Sequence, residues 1–180
     1  MPLTRDEDIA ELLANARTIA MVGASDRANR PSYGVMRFLQ DQGYRVLPVN
    51  PQITGEHVHG EYVWRELSQI GMPIDIVDIF RRPDAAGEAV DQAIFVGAKA
   101  VWLQIGVIDE EAAAEAVEQA IFVGAKAVWM QLGVINDEAA AKAEAAGLKV
   151  VMDRCPAIEI RRLGIAPISS SAFAGEGDRT

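Results

Sequence analysis

Residues 89–115 read AVDQAIFVGAKAVWLQIGVIDEEAAAE, and residues 116–142 read AVEQAIFVGAKAVWMQLGVINDEAAAK. Laid side by side without a gap, the two 27-residue copies differ at six positions: 91/118, 103/130, 105/132, 109/136, 110/137 and 115/142. Each copy holds the end of a helix closed by a glycine (Gly97, Gly124). A β-rich apolar run follows (KAVWLQIG at 99–106, KAVWMQLG at 126–133), then the polar start of another helix at Asp109 or Asn136. Glycine just past a helix and Asp or Asn just before one are boundary signals. The period is therefore one helix plus one strand. Consecutive units of that kind lay their strands parallel, because a parallel pair needs a helical crossover. Two copies between unlike flanks do not make a solenoid.

The rest of the chain keeps the same alternation. Thr4 and Glu7 form a capping-box pattern ahead of the amphipathic DEDIAELLANA. TIAMVGAS (18–25) is a buried strand with its exit loop. PSYGVMRFLQDQG (31–43) is a helix with Pro31 in its first turn and Gly43 beyond its end. YRVLPVNP (44–51) and IDIVDIF (74–80) are strands, and VWRELSQIG suggests a short helix between them. A helix runs from Asp84 to Gly97. Asp109 starts another that Gly124 ends, with DEEAAAEAVEQAIFVG reading as one unbroken helix across the junction of the copies. Asn136 caps a helix that Gly147 ends, and LKVVMDRCP (148–156) is the last strand. Right-handed crossovers give a doubly wound α/β fold. The expected sheet has six parallel strands in the order 3-2-1-4-5-6, with KAVWLQIG beside the first strand and LKVVMDRCP at the edge. One domain is expected over 1–163, with 164–180 a poorly ordered tail.

Composition removes several function classes. The chain has 180 residues, is 50% hydrophobic and carries a formal net charge of −9. That charge disfavours nucleic acid as a partner, since phosphate backbones need a basic face. A single cysteine, Cys155, fits a reducing compartment. No signal-peptide pattern and no membrane-length apolar run is present, so a cytoplasmic protein without a membrane role is expected.

Ligands of open parallel sheets sit at the carboxyl ends of the strands, near the point where strand order reverses. There stand Gly23, Ala24 and Ser25, small residues that let a phosphate approach the backbone, with the amino end of the helix at Pro31 pointing at the same place. A tight strand-to-helix turn explains these residues equally well, and GASDRANRPSYG is not the G-x-G-x-x-G fingerprint. His57 and His59 lack a third ligand with metal spacing and read as an exposed loop. Cys155 has no base beside it and reads as structural. Trp102 and Trp129, at matching positions in the copies, read as core or interface residues. Asp109, Glu110, Asp137 and Glu138 are helix-start acids that favour the dipole.

GASDRANRPSYGVMRFLQDQGYRVLPVNP, followed by DIVDIFRRP, VWMQLGVIN and VVMDRCPAIE, resembles the small bacterial and archaeal CoA-binding proteins. These are single Rossmann-like domains similar to the CoA-binding domain of the succinyl-CoA synthetase α subunit. The resemblance runs from about residue 5 to about residue 163. It implies coenzyme A or acyl-CoA as ligand, with no catalysis established for most members. Carried onto this chain, it places Gly23, Ala24 and Ser25 on the diphosphate and Arg30, Pro31, Ser32 and Tyr33 beside it. It places Asn50 and Pro51 on the adenosine side, and Phe80, Arg81 and Arg82 over the nucleotide. Guanidinium groups suit the three phosphates of CoA.

The family carries the helix–strand segment once, and here it stands twice. Gln104 and Gly106 of the first copy are expected to take the family role of the Q-x-G loop. Gln131 and Gly133 are expected to lose it, and Asp153, Arg154 and Cys155 to lie one strand farther from the ligand. Three readings follow. One is a CoA-binding module without chemistry, alone or as a homodimer. The second is an NAD(P)-dependent oxidoreductase, although Asn50 stands where such an enzyme puts its ribose-binding acid. The third is a duplicated or engineered extension of the fold with weakened CoA binding.

Overall fold

The computed structural model describes residues 5–81, 83–103, 114, 117–118, 120–122, 127–131 and 135–169. β1 (Thr18–Val22) is buried on both faces: Ile19 and Met21 enter one core layer, Ala20 and Val22 the other. The same two-sided burial holds for β2 (Arg45–Val49), whose exit is followed by a two-stranded hairpin of β3 (His57–Val58) and β4 (Glu61–Tyr62). A single turn of 3-10 helix, Leu67–Gln69, precedes β5 (Ile76–Ile79). β6 (Ala100–Leu103), β7 (Ala127–Met130) and β8 (Lys149–Val151) complete the main sheet. Continuous apolar strands of this kind need helices on both sides. α1 (Asp6–Asn15), α2 (Pro31–Asp41) and α5 (Pro156–Arg162) cover one face; α3 (Pro83–Phe95) and α4 (Asp137–Ala145) cover the other. Residues 114, 117, 118 and 120–122 are helical too, and Val117 and Ala120 are buried on the α3–α4 side.

The main sheet is six-stranded and its pairs are parallel, in the order β2-β1-β5-β6-β7-β8. Numbered as six strands this is 2-1-3-4-5-6, not the expected 3-2-1-4-5-6. KAVWLQIG pairs with IDIVDIF (Ala100 opposite Ile76, Leu103 opposite Ile79), so it does not lie beside β1. Two contacts account for the order. The Asp75 carboxylate accepts the backbone N–H groups of Arg17 (2.8 Å) and Thr18 (3.0 Å), fastening the start of β5 to the start of β1. Burial pushes this carboxyl up in pKa, but hydrogen bonds from Lys99, Thr18 and Arg17 outweigh it and hold the carboxyl below its ordinary value. The outer edge of β2, where a third strand was expected, is already taken. Trp64 bridges Val49, its N–H donates to Pro48 O (2.9 Å), and Asn50 N donates to Trp64 O (2.9 Å).

Both copies contribute a strand, as the repeat demands. Trp102 lies opposite Trp129 in register, both indoles buried, with ring centroids 6.2 Å apart. Trp102 Nε1 donates to Gln131 Oε1 (3.0 Å), and Trp129 Nε1 donates to Arg154 O (2.7 Å). Each indole is thus satisfied by a residue in the loop after the next strand. Asn136 caps α4 as expected, its Oδ1 accepting Ala139 N at 2.9 Å. At α1 Arg5 is the cap residue without a side-chain cap, and its guanidinium forks onto Asp8 (2.7 and 2.8 Å); Thr4 of the expected capping box lies outside the described residues. Residues 164–169 continue past the expected domain end, with Ile165 and Ile168 against the core and Ile168 N donating to Gln42 O (2.8 Å). The expected caps and helix junction over 109–113, and the tail beyond 169, lie outside the described residues.

Candidate functional site

The order 2-1-3-4-5-6 puts the reversal between β1 and β5, since the chain leaves β1 toward β2 on one side and arrives at β5 on the other. A ligand is expected at the carboxyl ends of those two strands. There a cleft of about 390 Å³ opens. It is lined by the loop from Gly23 to Arg27, the start of α2 (Arg30, Pro31, Ser32), Asn50, Gln52 and Ile53 after β2, and Phe80 after β5.

Of the two readings open for Gly23, the tight turn has a direct observation behind it. The φ of Gly23 is +84°, and a Cβ there would lie 2.1 Å from Phe80 O. Its N–H donates to Val49 O at 2.9 Å, while Phe80 N donates to Val22 O at 2.8 Å. The three strand ends converge on this residue, so the missing side chain first serves the sheet. Beyond it the loop changes character. Ser25 Oγ accepts Arg27 N (3.1 Å), and Asn50 Nδ2 donates to Ala24 O (2.8 Å). Among the described residues, no protein group accepts the N–H of Ala24, Ser25 or Asp26. Consecutive unmet N–H groups beside a cleft form an anion-binding concavity.

The charges agree. Arg27 and Arg30 line this cleft. A smaller cleft of about 170 Å³ on the α3 side of Gly23 is lined by Arg65 and Arg81, with Pro51, Glu66, Glu88 and Gln92. Among the described residues, none of these four arginines forms an ion pair with a carboxylate. Among them, the Arg65 guanidinium reaches the carbonyls of Ile53 and Asn50. Away from the clefts the arginines are engaged: Arg5 with Asp8, Arg37 with Asp41, Arg45 with Glu61, Arg154 with Glu159, and Arg162 with Asp6 and Glu159. Arg17 reaches two carbonyls, and Arg161 lies 4.5 Å over the Phe38 ring. In a chain of net charge −9, four cations without acidic partners around one loop mark a place for an anion.

Of the residues expected at the site, Gly23, Ala24, Ser25, Arg30, Pro31, Ser32, Asn50 and Phe80 meet in the larger cleft, while Pro51 and Arg81 line the smaller one. Tyr33 is not among the lining residues of either; its ring lies 4.0 Å from that of His59, whose Nε2 is 3.0 Å from Tyr33 O. Arg82, Gln104 and Gly106 lie outside the described residues, as does Gly133. Gln131 is buried and occupied by Trp102. Asp153, Arg154 and Cys155 follow β8, three strand spacings from β5, or ~14 Å. Asp26, Arg27, Gln52, Ile53 and Arg65 had not been expected. Arg27 and Gln52 stand inside the two loops already singled out, where polar residues after strand ends were the available signal. Arg65 had none, because its role depends on the edge position of Trp64. His57 packs edge-on to Tyr62 (6.1 Å), and among the described residues no group of three metal-binding side chains occurs. Among them, too, no helix is long and apolar enough to cross a membrane.

The sequence profile of one protein family, described as a CoA binding domain, matches residues 17–121 and again 111–161. The two matches overlap within the repeat. An uncharacterized protein of Bacillus subtilis, YneT, is 38% identical over 104 residues, which is 58% of this chain and 76% of that one. A hypothetical protein from Pyrococcus horikoshii is 35% identical, with a TM-score of 0.63 over 91% of this chain and 96% of that one. An acetyl-coenzyme A synthetase of Ca. Korarchaeum cryptofilum shares the fold over 82% of this chain and 40% of its own, with a TM-score of 0.60 at 20% identity.

Proposed function

This chain belongs to the CoA-binding domain family, and we propose that it binds coenzyme A or an acyl-CoA in the cleft at the carboxyl ends of β1, β2 and β5. The observation that carries the reading is the meeting of backbone N–H groups at Ser25 and Asp26, which no protein group accepts among the described residues, with arginines that have no acidic partner among them. The N–H groups suit a diphosphate, because they supply donors without side-chain entropy to lose. Arg27 and Arg30 approach the same anion from the α2 side, and Arg65 and Arg81 remain for a further phosphate. CoA has both, a diphosphate and a separate 3′-phosphate.

A nicotinamide dinucleotide suits the site less well. Asn50 stands where a ribose-binding acid would be, and its amide is already engaged on both sides, with Ala24 O and Gln52 N. We propose binding without turnover, with the cleft presenting the ligand rather than reacting with it. No nucleophile with an adjacent base is found among the residues that line it.

Calorimetric titration with CoA and, separately, with NAD tests this. Saturable binding of CoA at one site, with NAD weaker by at least tenfold, is expected. Saturation by NAD with no heat from CoA would overturn the reading. Incubation with acetyl-CoA should release no free thiol above a buffer blank.

A further inference from the structure

Asn50 lines the same cleft as the unmet N–H groups and is engaged through both ends of its amide. Its Nδ2 donates to Ala24 O (2.8 Å) and its Oδ1 accepts Gln52 N (2.9 Å), so one amide joins the loop after β1 to the loop after β2. Its own backbone is held in turn. Asn50 N donates to Trp64 O at 2.9 Å, and Arg65 Nη1 reaches the carbonyls of Asn50 and Ile53 from the same edge segment. A peptide unit is planar and trans, so its C=O and the next N–H point in opposite directions. Fixing Ala24 O toward Asn50 therefore fixes the Ser25 N–H away from Asn50. Nothing else among the described residues holds the Ala24 carbonyl.

We infer that Asn50 is a positioning residue for the anion loop, with Arg65 bracing Asn50's own loop, so that the Ser25 donor stands preorganised before a ligand arrives. This rests on the CoA reading above and adds to it a division of labour. The arginines act at long range and govern how fast an anionic ligand arrives. The loop N–H groups act only on contact and govern how long it stays. Charges near a binding surface chiefly change association rates, whereas buried hydrogen bonds chiefly change dissociation rates.

Stopped-flow kinetics with CoA separate these roles. Two variants are used, Asn50→Ala, which removes both hydrogen bonds, and Asn50→Asp. The second keeps the size and the acceptor for Gln52 N but replaces the donor to Ala24 O with an acceptor. In both, CoA should dissociate at least tenfold faster, with the association rate of Asn50→Ala within about twofold of wild type. Asn50→Asp also adds a negative charge and should associate more slowly, recovering as salt is raised. A merely structural role would give a different result. It would lower the fraction of competent molecules, and with it the apparent association rate, while leaving dissociation from the competent ones unchanged. That pattern in both variants, or wild-type dissociation rates in both, would overturn the inference while CoA binding by wild type stood. Wild-type protein that does not associate with CoA at all would overturn the CoA reading, and the inference with it.

Discussion

Gly23→Ala puts one methyl group where three strand ends meet. The added Cβ would lie 2.1 Å from Phe80 O, 2.8 Å from Phe80 C and 3.2 Å from Arg81 Cδ, at a residue whose φ is +84°. Two costs add. A left-handed backbone is unfavourable for any residue with a Cβ by about 1–2 kcal/mol. The contact with Phe80 O is backbone against backbone, so the end of β5 must move by roughly an ångström, at a typical overpacking cost of about 1–3 kcal/mol. The expected loss is therefore about 2–5 kcal/mol. In a domain of this size each kcal/mol lowers Tm by roughly 2–4 °C, so a fall of at least about 4 °C is expected. Urea unfolding followed by tryptophan fluorescence reads the stability directly. Gly34→Ala is the control. Gly34 is inside α2 with nothing within 4 Å of a new Cβ, and there alanine should stabilise by about 0.5–1 kcal/mol. If Gly23→Ala loses less than about 0.5 kcal/mol, the convergence of strand ends is not why this residue is glycine, and a phosphate-approach role would be the remaining reason.

Three further outcomes follow from the same contacts. Arg30→Ala and Arg81→Ala should each weaken CoA binding by about three- to thirtyfold at low salt and by less at high salt, as partly exposed charge-assisted contacts do; titration at two salt concentrations reads this. Asp75→Asn should destabilise the protein at neutral pH. The folded carboxyl titrates below its ordinary value, so its contribution is present above about pH 3.9 and is lost as pH falls through the lower folded pKa. Wild-type and variant stabilities, measured by urea unfolding, should converge there. Deleting residues 116–142 should leave a folded five-strand sheet with CoA affinity within about threefold of wild type, because both clefts are lined by residues 22–92; on the scale where tenfold is 1.4 kcal/mol this is under 1 kcal/mol. Loss of folding would show that the second copy had become necessary to the sheet.

Much of this was legible in the sequence, and what was not has a physical reason. Every main-sheet strand was visible as an apolar run, because strands buried on both faces carry few polar residues to blur them, the buried Asp78 of β5 being an exception. The repeat showed that KAVWLQIG and KAVWMQLG would be neighbours, and they are, with Trp102 opposite Trp129. The place of β5 was not legible. Alternation and crossover handedness permit both 3-2-1-4 and 2-1-3-4, and the choice rests on Asp75 reaching two N–H groups 57 and 58 residues away. Trp64, which seals the outer edge of β2, likewise sits in VWRELSQIG, which reads as a short helix, whereas the helical turn there is Leu67–Gln69 and Trp64 bridges Val49. At the cleft, the small residues after β1 were identified, but the sequence left a tight turn and a phosphate approach equally open for Gly23, since its contact with Phe80 O is a tertiary fact. Tyr33 was placed beside the ligand by the family resemblance alone; its contact with the His59 ring on the β3–β4 hairpin is a tertiary fact.

The central claim is that the backbone donors of one loop hold the anionic part of CoA. Amide chemical shifts of uniformly labelled protein, recorded as CoA is added, address those donors one by one. The N–H signals of Ser25 and Asp26 should move most, downfield, and saturate together with the calorimetric isotherm. Largest shifts at the opposite end of the sheet, around Asp75 and Lys99, with those two amides unmoved, would contradict the account.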